Sequence, residues 1–130
     1  MDILAIDPGR TTGIAIKIAD NYNTCTMTER KDITTLITSH RWDVVIYERF
    51  ISMGNISSHG IFTIELVGSI QAICEEHNLN AVAHTAQKRT PFIEAAKKKT
   101  SSKVSHEVDA MAHLVAWEYF NASKTKTLSS

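Results

Sequence analysis

Three places in this sequence hold carboxylates or histidines where a strand or a helix would fix them rigidly. Asp7 follows the apolar run Ile3-Leu4-Ala5-Ile6 and precedes Pro8-Gly9, and Glu48 follows Val44-Val45-Ile46-Tyr47 in the same way. His106, Asp109 and His113 fall at spacings of three and four residues, which puts them on one face of a helix. Glu107, two residues and about 200° of helical rotation from Asp109, points elsewhere. Each acid also has a bland explanation: Asp7 closing a turn, Glu48 neutralised by a neighbour such as Arg49 or Arg10. The chemical alternative is a ligand set, because strand ends in α/β sheets are rigid and still reach solvent. Asp7, Glu48 and Asp109 with His106 supply mostly hard oxygen donors, a set that suits Mg²⁺ or Mn²⁺ better than zinc. Two such ions about 4 Å apart clamp the attacking water and the leaving oxygen of a phosphodiester. His113 is expected to pack or to support a ligand, and His40, His59, His77 and His84 to lie on the surface or in loops.

Charge is distributed in a way that fits a polyanionic partner. The chain is formally neutral, yet residues 1–80 hold 6 Lys/Arg against 10 Asp/Glu and residues 81–130 hold 8 against 4. Within the second part Lys88, Arg89, Lys97, Lys98, Lys99 and Lys103 face only Glu94 in sequence. Such a run is either a solvated surface or a phosphate-binding one. Its place just before the His/Asp helix favours the second.

These residues need elements to position them. At 130 residues the chain is one domain's worth, and 43% hydrophobic with 22% charged residues excludes a disordered or fibrous chain. Cys25 and Cys74 lie far apart among apolar neighbours, which excludes a disulfide scaffold and a cysteine zinc site. The apolar runs are short and the first residues lead straight into a strand, so no membrane span or signal peptide can be placed and a cytoplasmic protein is expected. Ile3–Ile6 and Thr12–Ile18 read as a hairpin around Asp7-Pro8-Gly9, and Tyr22–Thr28 as an edge strand. Asp32 is placed to cap a helix running to about Ser39, before the parallel-type strand Val44–Tyr47. A loop through Gly54, Asn55, Ser57, Ser58 and Gly60 leads to a helix over Ile61–His77. There Phe62, Leu66, Val67, Ile70, Ile73 and Cys74 cover an arc of about 140°, wider than one core contact requires, which suggests a second partner surface. A short strand Ala81–Ala83, a short helix from Pro91 and a strong helix Val104–Phe120 complete the domain, and residues 121–130 are expected to form a flexible tail. The order is a meander followed by crossover units, hence an α/β fold with a five-stranded mixed sheet flanked by helices.

The motifs resemble those of the RuvC-like Holliday junction resolvases of the ribonuclease H superfamily, in particular the short bacteriophage forms. Ile3-Leu4-Ala5-Ile6-Asp7-Pro8-Gly9 with Thr12-Gly13 is similar to the family's first strand and turn, Val45-Ile46-Tyr47-Glu48 to the strand bearing its second acid, and His106 with Asp109 to its C-terminal pair. The likeness in order and spacing covers about residues 2–120. It implies a ribonuclease H-like fold over residues 1–120 and a metal-dependent endonuclease whose catalytic and metal-binding residues are Asp7, Glu48, His106 and Asp109. It also implies two Mg²⁺ ions, replaceable by Mn²⁺, and a homodimer through the helix at about 61–77. Such a dimer nicks opposing strands of a four-way DNA junction in the cytoplasm, the host's if a phage encodes it. Phe50 lies near the family's base-stacking aromatic, and Arg10, Lys88, Arg89, Lys97, Lys98, Lys99 and Lys103 are the candidate DNA contacts. The turn at Arg10-Thr11-Thr12 is shorter than in the bacterial enzymes. The competing functions are a RuvC-like or YqgF-like nuclease on flaps, other branched DNA or RNA, a non-catalytic DNA-binding module, and an actin-like ATPase, for whose two lobes 130 residues are too few.

Overall fold

The structure, a computed structural model, describes residues 1–50 and 57–129, with side chains to residue 122. Strands β1 (Ile3–Asp7), β2 (Thr12–Ile18) and β3 (Asn21–Met27) form an antiparallel meander, and helix α1 (Arg30–Thr38) leads to β4 (Val44–Glu48). Helix α2 (Ser58–Glu76) precedes β5 (Ala81–His84), and α3 (Ala86–Arg89), a 3₁₀ turn, α4 (Ile93–Lys99) and α5 (Ser105–Ser129) follow. The sheet order is β3-β2-β1-β4-β5, with β1, β4 and β5 parallel, as the meander-then-crossover order predicts. No helix among the described residues is long and apolar enough to cross a membrane.

Because side chains alternate along a strand, each strand feeds two cores. Leu4, Ile6, Ile14 and Val45 join Ile33, Ile37, Leu66 and Ile70 under α1 and α2. Ile3, Ala5, Ala15, Val44 and Ile46 join Ala110, Met111, Ala112 and Leu114 under α5. The second core is alanine-rich on both sides, so α5 lies close to the sheet. Gly13 marks the closest approach: a Cβ there would meet the carbonyl oxygen of His106 at 1.9 Å.

Several local expectations change. Ser57 caps α2, its hydroxyl accepting from Gly60 N at 3.2 Å, so the helix starts three residues before Ile61. Gly54 and Asn55 of the expected loop lie outside the described residues. Asp32 sits in the first turn of α1, whose N-cap is Glu29. Helix α5 continues to Ser129, past Phe120 where the sequence pattern ended it, since Asn121 to Leu128 contains neither glycine nor proline to stop it. The wide apolar arc of α2 is spent inside the domain: Leu66, Val67, Ile70 and Cys74 are buried and Phe62 and Ile73 pack against the same core, because α2 covers both the sheet and α1. The apolar residues that α2 leaves in solvent are Ile61 and Ile64.

Candidate active site

Strand register assembles the site. Thr26 pairs with Gly13, Gly13 with Asp7 and Glu48 with His84, while Asp7 and Glu48 stand one step beyond the Ile6–Tyr47 pair of adjacent parallel strands. One rung therefore crosses all five strands as Thr26, Gly13, Asp7, Glu48, His84. Alternation turns every member toward α5, since Asp7 has the parity of Ile3 and Ala5, Glu48 that of Val44 and Ile46, and His84 that of Val82. Helix α5 lies across this rung and adds His106 and Glu107 at one end, Asp109 in the middle and His113 at the other.

The middle of the rung is crowded with negative charge. Burial, then the charges of Glu48 and Asp109, push Asp7 up to about 7, with Arg89 opposing. Asp7 therefore retains a proton near neutrality, and in that form it favours the ionised state of Glu48 beside it. Burial also raises Glu48, but the hydrogen bond from His113 and the charge of Arg89 outweigh it and hold that carboxyl below its ordinary value. Arg89 Nη1 donates to Glu48 Oε1, and its Nε lies 3.4 Å from Asp109 Oδ1. The guanidinium thus bridges two of the acids. Among the described residues no three His, Cys, Asp or Glu side chains stand close enough around one point to enclose a metal ion in this arrangement.

At the β5 end, the fully buried His113 bonds Glu48 Oε1 through Nε2 at 2.9 Å, and its Nδ1 lies 3.0 Å from Nδ1 of His84. An ionised carboxylate accepts, so Nε2 of His113 carries the proton. In a neutral ring Nδ1 then accepts, and His84 donates from its own Nδ1. His84 stays neutral, because burial, then His113 and Lys88, pull it down to about 4. At the β3 end Thr26 Oγ1 lies 2.5 Å from Glu107 Oε2 and 3.0 Å from His106 Nε2. The hydroxyl has one proton, which goes to the carboxylate, so the oxygen accepts from His106. In the neutral imidazole this leaves the lone pair on Nδ1.

The sequence-predicted acids Asp7, Glu48 and Asp109 thus come together, while His106 is tied to β3. Arg89, expected as a phosphate contact, sits among the acids; it, and neither Arg49 nor Arg10, is the cation that answers Glu48. Arg10 is exposed, its guanidinium carbon 5.3 Å from the ring centre of Phe62. Lys88, Lys97, Lys98, Lys99 and Lys103 are all exposed, with Lys97 paired to Glu94 at 3.2 Å and Lys99 lying 4.3 Å over the ring of Tyr22. Two cavities flank the acids. One of about 610 Å³ reaches Asp109 and is lined by Lys97, Lys103, Ser101, Ser102 and Thr100. The other, about 470 Å³, opens beside Glu48 between Pro8, Phe50 and Gln87. His84, expected at the surface, is buried; its shared parity with Val82 was the signal that could have found it. His40, also expected to stand apart, bonds Asp2 Oδ2 at 2.7 Å at the opposite end of the strands.

No family model matches the chain, and neither does any curated protein. Solved structures do match. The Thermus thermophilus RuvC in complex with Holliday junction substrate superposes with a TM-score of 0.68 at 13% identity, over 95% of this chain and 96% of that one. The fowlpox virus Holliday junction resolvase gives 0.54 at 16% identity over 94% and 99%. That virus's resolvase with substrate Holliday junction DNA gives 0.52 at 16% identity over the whole of both chains. With its five-stranded mixed sheet between helical layers, the chain has the ribonuclease H-like fold of RuvC and of the poxvirus resolvase.

Proposed function

We propose that the protein is a divalent-metal-dependent endonuclease that nicks opposing strands of four-way DNA junctions. The observation that carries this is the convergence of Asp7, Glu48 and Asp109 at one rung, where burial and then the neighbouring acids keep a proton on Asp7 and a guanidinium bridges Glu48 and Asp109. Such a site has the sign, the hard oxygens and the need for a cation that fit Mg²⁺ or Mn²⁺. Those three carboxylates would hold the metal, with Nδ1 of His106 as the nitrogen donor. Bound there, two divalent ions would lower the pKa of the attacking water and stabilise the charge developing on the phosphate. The chain's own residues supply the rest. His113, fixed by His84, orients Glu48, and Thr26 orients His106. Lys97 and Lys103, with the hydroxyls of the larger cavity, receive a phosphate beside Asp109. Phe50 offers a ring at the mouth of the smaller cavity.

Opposed nicks require two sites related by symmetry, so the active form is a homodimer. Ile61 and Ile64, 50% and 41% exposed, and the unobstructed Gly68 supply an outer face on α2 for the twofold contact. The fold shared with three resolvase structures supports the junction as substrate, and such a substrate puts the enzyme in the cytoplasm, the host's if a phage encodes it.

The test is cleavage of matched four-way, three-way, flap, linear and RNA substrates with Mg²⁺ or Mn²⁺, beside sedimentation at micromolar concentration. Paired nicks in the four-way junction by a dimer, lost in Asp7→Asn, are expected. Equal cutting of flaps by a monomer overturns the junction assignment, and cleavage that persists in Asp7→Asn overturns the metal site.

A further inference from the structure

Arg89 was grouped by sequence with five lysines, yet its surroundings set it apart. The lysines are exposed. Arg89, one residue after Lys88 at the end of α3, has a side chain 24% exposed, donates to Glu48 and lies against Asp109, while its charge also eases ionisation of Asp7. One side chain thus serves all three acids. A guanidinium does not deprotonate in a protein, so its charge leaves this site only if the side chain moves. The residual exposure leaves room for that movement: about a quarter of the side chain is open to solvent.

We propose that Arg89 is the resident counter-cation of this site, which an incoming divalent metal displaces and a DNA phosphate then receives, so that metal loading and DNA binding are coupled through one side chain. The inference rests on the metal-nuclease function proposed above. Charge requires the exchange: a divalent ion among Asp7, Glu48 and Asp109 would stand against a fixed positive group sharing the same oxygens, and the two repel. Geometry supplies the destination, since the planar fork that matches carboxylates also matches the two non-bridging oxygens of a phosphodiester. The consequence is reciprocal. Metal frees Arg89 for phosphate, phosphate draws Arg89 away from the acids, and each ligand must raise the other's affinity by the same factor. Without DNA the site would load poorly, which restrains metal-dependent cutting chemistry in the free protein.

Manganese binding in the absence of DNA tests this, followed by the electron paramagnetic resonance signal of the free ion, for wild type, Arg89→Gln, Arg89→Lys and Asp7→Asn. Arg89→Gln should bind Mn²⁺ about tenfold tighter than wild type, within the usual range of coupling between two ligands. Arg89→Lys, a point charge that serves one acid at a time, should fall between them, and Asp7→Asn should bind more weakly than wild type. If Asp7→Asn weakens binding but both Arg89 variants match wild type, the exchange is wrong and the metal site stands. If none of the four binds Mn²⁺ saturably, the metal site fails and the exchange with it. Junction affinity measured with Ca²⁺ and with chelator gives a second readout. Calcium should strengthen wild-type binding more than Arg89→Gln binding, and an equal gain in both overturns the coupling. Should Arg89→Gln fail to fold without metal, the Arg89→Lys comparison carries both measurements.

Discussion

The two faces of one sheet have been put to different uses. Toward α1 and α2 the strands present Leu4, Ile6, Ile14 and Val45, met by isoleucines, Leu66 and Trp42. Toward α5 the same strands present alanines beside Ile3, Val44 and Ile46 and then, at the rung that ends β1, β4 and β5, a row of polar groups. The first face maximises buried apolar volume, the main source of stability. The second gives up volume so that a helix can come close enough to add Asp109 and His113 to acids borne on strands. Stability and chemistry are thereby divided between faces, and substitutions on each should behave differently.

The largest contrast is between Asp7→Asn and Ile70→Ala. Ile70 is fully buried in the α1/α2 core, and truncating it should cost about 2–5 kcal/mol while leaving cleavage per folded molecule nearly unchanged. Asp7→Asn should lower cleavage about a hundredfold or more, since it removes a charge that holds metal, and should not destabilise the fold. Urea denaturation beside single-turnover cleavage measures both. If Ile70→Ala lowers turnover of the folded enzyme as much as Asp7→Asn does, the division between faces is wrong.

Gly13 tests the close approach itself. A methyl group there would strike the backbone of His106, so Gly13→Ala must shift the start of α5, with overpacking of about 1–3 kcal/mol. Because that helix also carries Asp109, the variant should lose activity beyond its loss of stability, unlike Ile70→Ala. Full activity in the folded fraction would mean that the helix tolerates displacement and that its placement is not what builds the site.

How much of this was legible in the sequence follows the same division. Short continuous apolar runs and one helix with period near four marked the strands that carry Asp7 and Glu48 and the helix that carries Asp109, because these are local patterns. The place of Arg89 among the acids and the roles of His84 and Thr26 were passed over because they come from tertiary placement. Nothing near Arg89 in sequence distinguishes it from Lys88, and only the folded α3 turns it toward Glu48. The arc on α2 misled in the opposite direction: periodicity measures how much of a helix is apolar, not how many neighbours inside the domain will cover it.

A smaller effect belongs to pH in the metal-free protein. Asp7 carries a carboxyl moved from 3.8 to about 7. The folded state therefore holds a proton that the unfolded chain has lost, and stability falls as pH rises from about 4 to about 7. The full cost, at most about 4 kcal/mol, is present above that window and absent below it. Asparagine does not titrate, so with chelator present the stability advantage of Asp7→Asn should grow from near zero at pH 4 to a plateau above pH 7. A pH-independent offset would show that neither burial nor the neighbouring acids raise the Asp7 carboxyl in the folded state.

The smallest effect should come from the β3 end of the rung, where the polar face of the sheet meets solvent. Thr26 has one hydroxyl proton and two claimants, and the carboxylate of Glu107 takes it. The oxygen is left to accept from Nε2 of His106, which in the neutral imidazole places the lone pair on Nδ1. Thr26→Val keeps the shape and the β-branch but removes both hydrogen bonds, so the ring is free to change tautomer and to rotate. Thr26 lies on the edge strand β3, away from both apolar cores, so the fold should hold. Cleavage should drop by about tenfold, the lower end of what supporting groups contribute at metal sites, and Thr26→Ser should restore it. The ¹⁵N shifts of His106 separate this cause from a merely structural one. Wild type and Thr26→Ser should show a protonated Nε2 and a bare Nδ1, and Thr26→Val a mixture. If the valine variant keeps the wild-type pattern and rate, Thr26 is an ordinary edge-strand residue, and the chemistry of the rung ends at Asp7.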